Sequence, residues 1–153
     1  MRRALAVVVL VGLVSAAQTA AAATPAGYRA QLNGICRSYT PKLKADQQTM
    51  QAALKANHAK VFGAALADLM RKTLEQDAKI RRVPVPAALR TQMRPILQLF
   101  RTADIHVRLA AEYGSKGNVR GVLAELQKVA TITPTLNRRL DRAGLRDCGS
   151  NQT

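Results

Sequence analysis

The stretch "LRTQMRPILQLFRTADIHVRLA", residues 89–110, carries the clearest helical pattern in the chain. Its apolar positions recur at alternating spacings of four and three, which places them along one face of an α-helix. A helix with a single apolar face must cover that face by packing on another element. The stretch therefore predicts a helix within an all-α core, and its core positions are Leu89, Met93, Ile96, Phe100, Ala103, Val107 and Ala110.

Three other segments show the same periodicity, and the residues around them indicate where each helix begins and ends. Asn57 and Asn118 are good N-cap residues for the second and fourth segments. The "VPVP" motif, residues 83–86, must end the second helix, because proline removes backbone donors and favours extended backbone before it. The four predicted helices run from about Tyr28 to Ala56, from Asn57 to Val83, from Pro86 to the "YGSKGN" break, and from Asn118 to about Ala143.

The segments that join the predicted helices are short, which favours antiparallel neighbours. We therefore expect a single domain, residues 24–153, folded as an up-down-up-down four-helix bundle. Prolines 41, 95 and 134 fall within predicted helices. Each removes a backbone hydrogen bond and should kink its helix, or split it in the case of Pro41. The kinks could be independent, or they could together open a cavity between the helices.

Residues 1–23 have the three-part pattern of a secretory signal peptide. Arg2 and Arg3 precede an apolar run from Ala4 to about Ala17, and small residues follow up to Ala23. A retained membrane anchor is the alternative, but the apolar run has about 14 residues where a span needs about 20. We expect a secreted or cell-envelope protein whose mature chain begins near Thr24.

The two cysteines, Cys36 and Cys148, predict a disulfide. Gly144 suits a left-handed C-cap with Leu145 as its hydrophobic partner, so the tail should turn back across the end of the bundle. In the predicted topology, the start of the first helix lies at that same end. An even number of cysteines in an oxidising compartment favours pairing. Two free thiols or a redox pair are the alternative, but the chain has no CxxC motif.

The combination of an early helical cysteine, Cys36, with a C-terminal "GLRDCG" motif, residues 144–149, resembles a group of proteins from high-GC Gram-positive bacteria. These are small uncharacterised secreted or lipid-anchored helical proteins. The resemblance covers about Tyr28 to Gly149 and rests on the cysteine pair. It implies a disulfide-closed helical bundle and implies no activity.

The chain shows no recognisable catalytic pattern. Serines 38, 115 and 150 lack a GxSxG context, no glycine-rich phosphate loop occurs, and ferritin-type Glu-x-x-His is absent from the sequence. His58 and His106 have no clear third ligand for a metal. A haem held by His106 and a methionine (Met50, Met70 or Met93) is a weaker alternative, because methionine at helical spacing is usually core. We predict a non-enzymatic protein without metal or cofactor.

Positive charge is the strongest functional signal in the sequence. Without Arg2 and Arg3, 22 basic residues face nine acidic ones, so the net charge is near +13. Arginines concentrate at the predicted helix ends that share the disulfide end of the bundle, where they should produce a positive field. The predicted anion-binding residues are Arg81, Arg82, Arg90, Arg138, Arg139, Arg142 and Arg146.

Few aromatic residues are available for base stacking, so the expected partners are not nucleic acids. They are instead an anionic cell-envelope polymer, lipid headgroups or an acidic protein. The competing interpretation is a carrier of a small apolar or haem-like ligand, with its cavity near Ile96, Phe100 and Leu136. The oligomeric state is not specified by the sequence.

Overall fold

The computed structural model describes residues 24–152. Within that range the chain forms four α-helices, two 3₁₀ turns and no strand, which confirms the all-helical prediction. The signal-peptide prediction concerns residues 1–23 and lies outside the described residues. The helices are α1 (Pro25–Lys55), α2 (Ala59–Arg82), α3 (Arg90–Ser115) and α4 (Val119–Arg142), with 3₁₀ turns at Ala87–Leu89 and Ser150–Gln152.

The helices pack as two hairpins. α1 lies along α2 and α3 lies along α4, whereas α2 and α3 contact each other over a shorter length. The buried apolar residues form two clusters. The larger surrounds Cys36 and Cys148 and includes Ile96, Phe100 and Leu140. We call the end of the fold that contains this cluster the clasp end. The opposite end, where the α1–α2 and α3–α4 turns lie, is the distal end.

The structure confirms one of the two predicted N-caps. The side chain of Asn118 accepts a hydrogen bond from the Gly121 amide at 2.9 Å, as expected of an N-cap. The prediction that Asn57 caps α2 is wrong: Asn57 has a φ of +55° and His58 occupies the N-cap position. The tight α1–α2 turn needs left-handed backbone, which asparagine tolerates better than most residues.

The prolines lie inside unbroken helices. Pro41 falls in the middle of α1, which runs without interruption from Pro25 to Lys55. Pro95 and Pro134 lie inside α3 and α4 in the same way. One proline removes a single backbone hydrogen bond. The split considered for Pro41 is therefore not observed.

The disulfide prediction is confirmed. Cys36 in α1 is bonded to Cys148 across 112 residues of sequence, with their Cα atoms 5.1 Å apart. Gly144 adopts a φ of +77°, and Leu145 is fully buried behind it. The chain therefore turns at Gly144 and returns across the clasp end, as the sequence predicted.

Polar side chains of α1 hold the returning tail as well. Arg29, Asn33 and Arg37 follow one another at spacings of four, so they lie on one face of the helix. Arg29 Nε donates to the Ala143 carbonyl at 2.7 Å, and Arg37 pairs with Asp147 at 2.6 Å. Asn33 bonds the tail twice, donating to the Gly144 carbonyl at 3.1 Å and accepting from the Asp147 amide at 3.3 Å.

None of the helices in residues 24–152 is both long and apolar enough to cross a membrane.

Candidate functional site

The predicted anion-binding arginines all belong to elements of the clasp end. Arg81 and Arg82 end α2, and Arg90 begins α3. Arg138, Arg139 and Arg142 lie in the last two turns of α4, and Arg146 lies in the tail. Gln92 in the first turn of α3 donates to the Arg142 carbonyl at 3.4 Å, so the start of α3 lies beside the end of α4.

Two of these seven arginines are engaged by protein groups. Arg81 is half-buried and pairs with the buried carboxylate of Asp104. Arg138 donates to the Thr135 hydroxyl at 3.1 Å. The remaining five are exposed, and within residues 24–152 no carboxylate lies within ion-pair distance of them. They are Arg82, Arg90, Arg139, Arg142 and Arg146.

The acidic residues explain why these arginines lack partners. All nine carboxylates of the chain fall in the described range, and each already faces a partner there. Seven of them pair with a lysine, an arginine or His106. Asp141 accepts from the Ser150 amide at 3.1 Å, and Asp77 faces Asp104. The excess positive charge therefore has no neutralising group within the described fold.

A groove along α3 adds two arginines that the sequence analysis missed. It has a volume of about 660 Å³, and Arg90, Arg94 and Arg101 line it together with apolar groups that include Val85 and Leu97. All three arginines are exposed. The spacing of four and seven residues between them could have indicated a shared face. The predicted anion-binding residues lay only near helix ends and in the tail. We call this the α3 groove.

A buried acidic pair lies between α2 and α3. Asp77 and Asp104 are 6% exposed each, and Asp104 also binds Arg81. Burial raises the pKa of Asp77 well above its usual range, and the facing carboxyl of Asp104 raises it further, while Arg81 opposes the shift. A proton retained on Asp77 can donate to Asp104, whose Oδ1 otherwise has no partner among the described groups.

The two histidines have different roles in the fold. His58 is an exposed N-cap, whereas His106 Nδ1 donates to Glu125 Oε2 at 2.7 Å. Lys128 and His106 together lower the pKa of Glu125. Across residues 24–152, no group of three or more histidine, cysteine or acidic side chains is placed to hold a metal ion.

Two cavities lie between the helices. The larger has a volume of about 1020 Å³ and extends from the distal end along α2; we call it the distal cavity. The smaller, of about 300 Å³, reaches Phe100, Leu136 and Asp77. Ile96 is fully buried in the clasp-end core. The large apolar residues that line the distal cavity include Phe62, Leu66, Met70, Leu74, Val122 and Leu126.

The methionines considered for haem ligation are divided between these regions. Met50 and Met70 line the distal cavity, whereas Met93 is buried in the clasp-end core. Among the described residues that line the distal cavity there is no histidine. His106, the axial ligand considered in that weaker alternative, is hydrogen-bonded to Glu125.

No protein family, curated protein or solved structure matches this chain. The resemblance to small secreted helical proteins of high-GC Gram-positive bacteria therefore stays a prediction.

Proposed function

We propose that this is an exported, non-enzymatic up-down-up-down helical bundle that binds a phosphate-bearing surface of the cell envelope through its clasp end. The observation that carries the proposal is the set of exposed arginines that no carboxylate of residues 24–152 neutralises. Arginine suits this role, because its planar guanidinium can form two parallel hydrogen bonds to a phosphate.

Electrostatics favours the helix ends for this contact. Arg139 and Arg142 lie in the last turn of α4, where cations also interact favourably with the helix dipole. The helix dipole offsets part of the repulsion between the cations that are crowded at this end. Lipid headgroups and wall polymers both present phosphate, so either could be the natural surface.

The interpretation as a carrier with a cavity at the proline kinks has weaker support. Ile96, Phe100 and Leu136 are each at most 9% exposed and belong to the clasp-end core. The cavity that reaches Phe100 and Leu136 is the smaller one, at about 300 Å³. An acidic protein remains the other partner that the basic surface could fit.

The proposal is tested by binding to vesicles of phosphatidylglycerol, vesicles of phosphatidylcholine and soluble polyglycerol phosphate. We expect binding to the first and third but not to the zwitterionic vesicles. Affinity should fall steeply with salt, because exposed charges are screened over about 8 Å at physiological ionic strength. A preference for one of the two phosphate-bearing probes would identify the source of the phosphate.

A matched pair of variants separates a binding surface from general basicity. Three clasp-end residues, Arg139, Arg142 and Arg146, are changed to glutamine in one variant. The other variant changes three basic residues to glutamine as well, namely Lys55, Lys60 and Arg120. They lie near the two distal turns and are likewise exposed. The first variant should lose most of the binding and the second should keep most of it. Equal losses would contradict the proposal.

Export is tested separately by N-terminal sequencing of protein recovered from the medium or cell envelope. The sequence should begin near Thr24. Retention of Met1 would support the membrane-anchor alternative.

A further inference from the structure

The distal cavity is too large to be an ordinary packing defect. Native interiors contain few voids larger than a water molecule. Its volume of about 1020 Å³ lies at the upper limit of small-molecule sites, which range over roughly 300–1,000 Å³. The space has the dimensions of a ligand site.

The sequence of α2 creates this space. Ala59, Gly63 and Ala67 follow one another at spacings of four and line the cavity beside the larger Phe62 and Leu66. A stripe of such small residues leaves volume that a neighbouring helix does not fill. At Gly63, apart from its chain neighbours and the backbone of the adjacent helical turns, no described atom lies within 4 Å of the position that a Cβ would occupy.

The cavity is elongated and its lining is almost entirely apolar. It follows α2 from Ala59 to Ala78, a distance of about 28 Å along the helix axis. Arg71 and Glu75 border it, but they bind each other at 2.8 Å. The buried polar atoms without a partner in residues 24–152 belong to Tyr28 and Asp104, and neither residue lines the cavity. The lining therefore suits a long apolar chain better than a polar ligand.

Exposed apolar side chains also border this cavity. Val119 is 68% exposed and Leu123 is 61% exposed, and both contribute to its lining. Large apolar groups left in water at the border of a concave apolar surface are typical of a binding site. A second copy of the chain is a poor occupant, because two strongly basic molecules repel each other.

We infer that the distal cavity binds the hydrocarbon chain of a single-chain amphiphile, such as a fatty acid, whose polar head remains in solvent. The lining of this site includes none of the clasp-end arginines. It is therefore a second binding activity, independent of the proposed contact with phosphate.

The test is a chain-length series measured by isothermal titration calorimetry, from octanoate to stearate, on the purified oxidised protein. Burial of one methylene group is worth about 0.8 kcal/mol, so each added methylene should raise the affinity about fourfold until the cavity is filled. The corresponding uncharged alcohols should show the same increments, which separates chain burial from attraction of the carboxylate to arginine. Affinity independent of chain length would overturn the inference.

A pair of glycine variants supplies the structural control. Gly63→Phe should obstruct the cavity and weaken palmitate binding by about tenfold or more. Gly34→Phe makes the same change in α1, where the glycine also has no neighbour within 4 Å and does not line the cavity, and should bind like the wild type. Circular dichroism and thermal melting establish that both variants are folded.

The remaining outcomes are also decisive. Equal affinities of the two variants for palmitate would place the ligand outside the cavity and overturn the inference. A dimer in sedimentation that Gly63→Phe abolishes would assign the cavity to a second copy instead. Gly63→Phe should still bind phosphatidylglycerol vesicles through the clasp end, so failure of the phosphate proposal would be seen separately.

Discussion

Asp77 on α2 and Asp104 on α3 bury two carboxyl groups against each other, with Arg81 as the one cation that the described structure places beside them. One cation cannot fully compensate two buried negative charges. The pair is therefore most stable with a proton on Asp77. That proton allows the two helices to meet through a hydrogen bond instead of a repulsive contact.

The first prediction concerns the pH dependence of stability. The pKa of Asp77 is raised in the folded state, so the folded protein binds more protons than the unfolded chain above the ordinary aspartate pKa. The free energy of unfolding should therefore fall as the pH rises from about 4 towards the raised pKa, by at most about 1.4 kcal/mol per pH unit. Denaturant unfolding measured across this range should show the decline.

Asp77→Asn removes this titration and keeps a group that can donate to Asp104. The variant should be more stable than the wild type at neutral pH, with a flatter pH profile. As a control, Asp68→Asn changes an exposed carboxylate of the same helix and should leave the profile unchanged. A wild-type profile identical to that of Asp77→Asn would contradict the assignment of the proton.

The second prediction concerns the disulfide. Changing Cys36 and Cys148 to serine should lower the free energy of unfolding, because the bond restricts a loop of more than 100 residues in the unfolded chain. Chain-entropy models give about 4.7 kcal/mol for such a loop. Helical circular dichroism should be largely retained at low temperature, since each helix keeps its apolar contacts. Thiol titration of the denatured, unreduced protein should find no free cysteine.

The third prediction concerns the polar attachment of the tail. Asn33→Ala removes the two hydrogen bonds that join α1 to Gly144 and Asp147. We expect a loss of about 1–2 kcal/mol, because both bonds have partial access to water. Amide hydrogen exchange in residues 144–149 should become faster than in the wild type, while exchange in the rest of the chain should change little. Gln48→Ala, an exposed change farther along α1, serves as the control and should alter neither quantity.

The fourth prediction compares two glycines within helices. At Gly121, an added Cβ would lie 2.6 Å from the base of the Tyr113 ring, which cannot move aside without repacking. Gly121→Ala should therefore destabilise the protein by about 1–3 kcal/mol. Gly63→Ala meets no atom within 4 Å and should stabilise it by up to about 1 kcal/mol through helix propensity. The melting temperature should fall below that of the wild type for Gly121→Ala and rise above it for Gly63→Ala.

Local sequence was sufficient for much of the fold. The alternation of spacings in residues 89–110 predicted α3, since helical periodicity depends only on near neighbours. Asn118 and Gly144 marked helix ends through their own backbone preferences. Cys36 and Cys148 could be paired because the chain has only two cysteines. Asn57 was misread because asparagine suits both an N-cap and left-handed backbone, and the length of the turn selects between them.

The arrangement of the candidate sites depended on contacts between helices. Arg81 was predicted to bind an anion, yet its partner in the fold is Asp104, a residue 23 positions away on another helix. The size of the distal cavity depends on the distance between α2 and the α3–α4 turn, and no local sequence pattern encodes that distance. By itself the sequence determined the helices, most of their ends, the disulfide and the excess of positive charge. Only the tertiary structure decided which arginines lack partners and where the helices leave space, because the rotation and separation of packed helices set both.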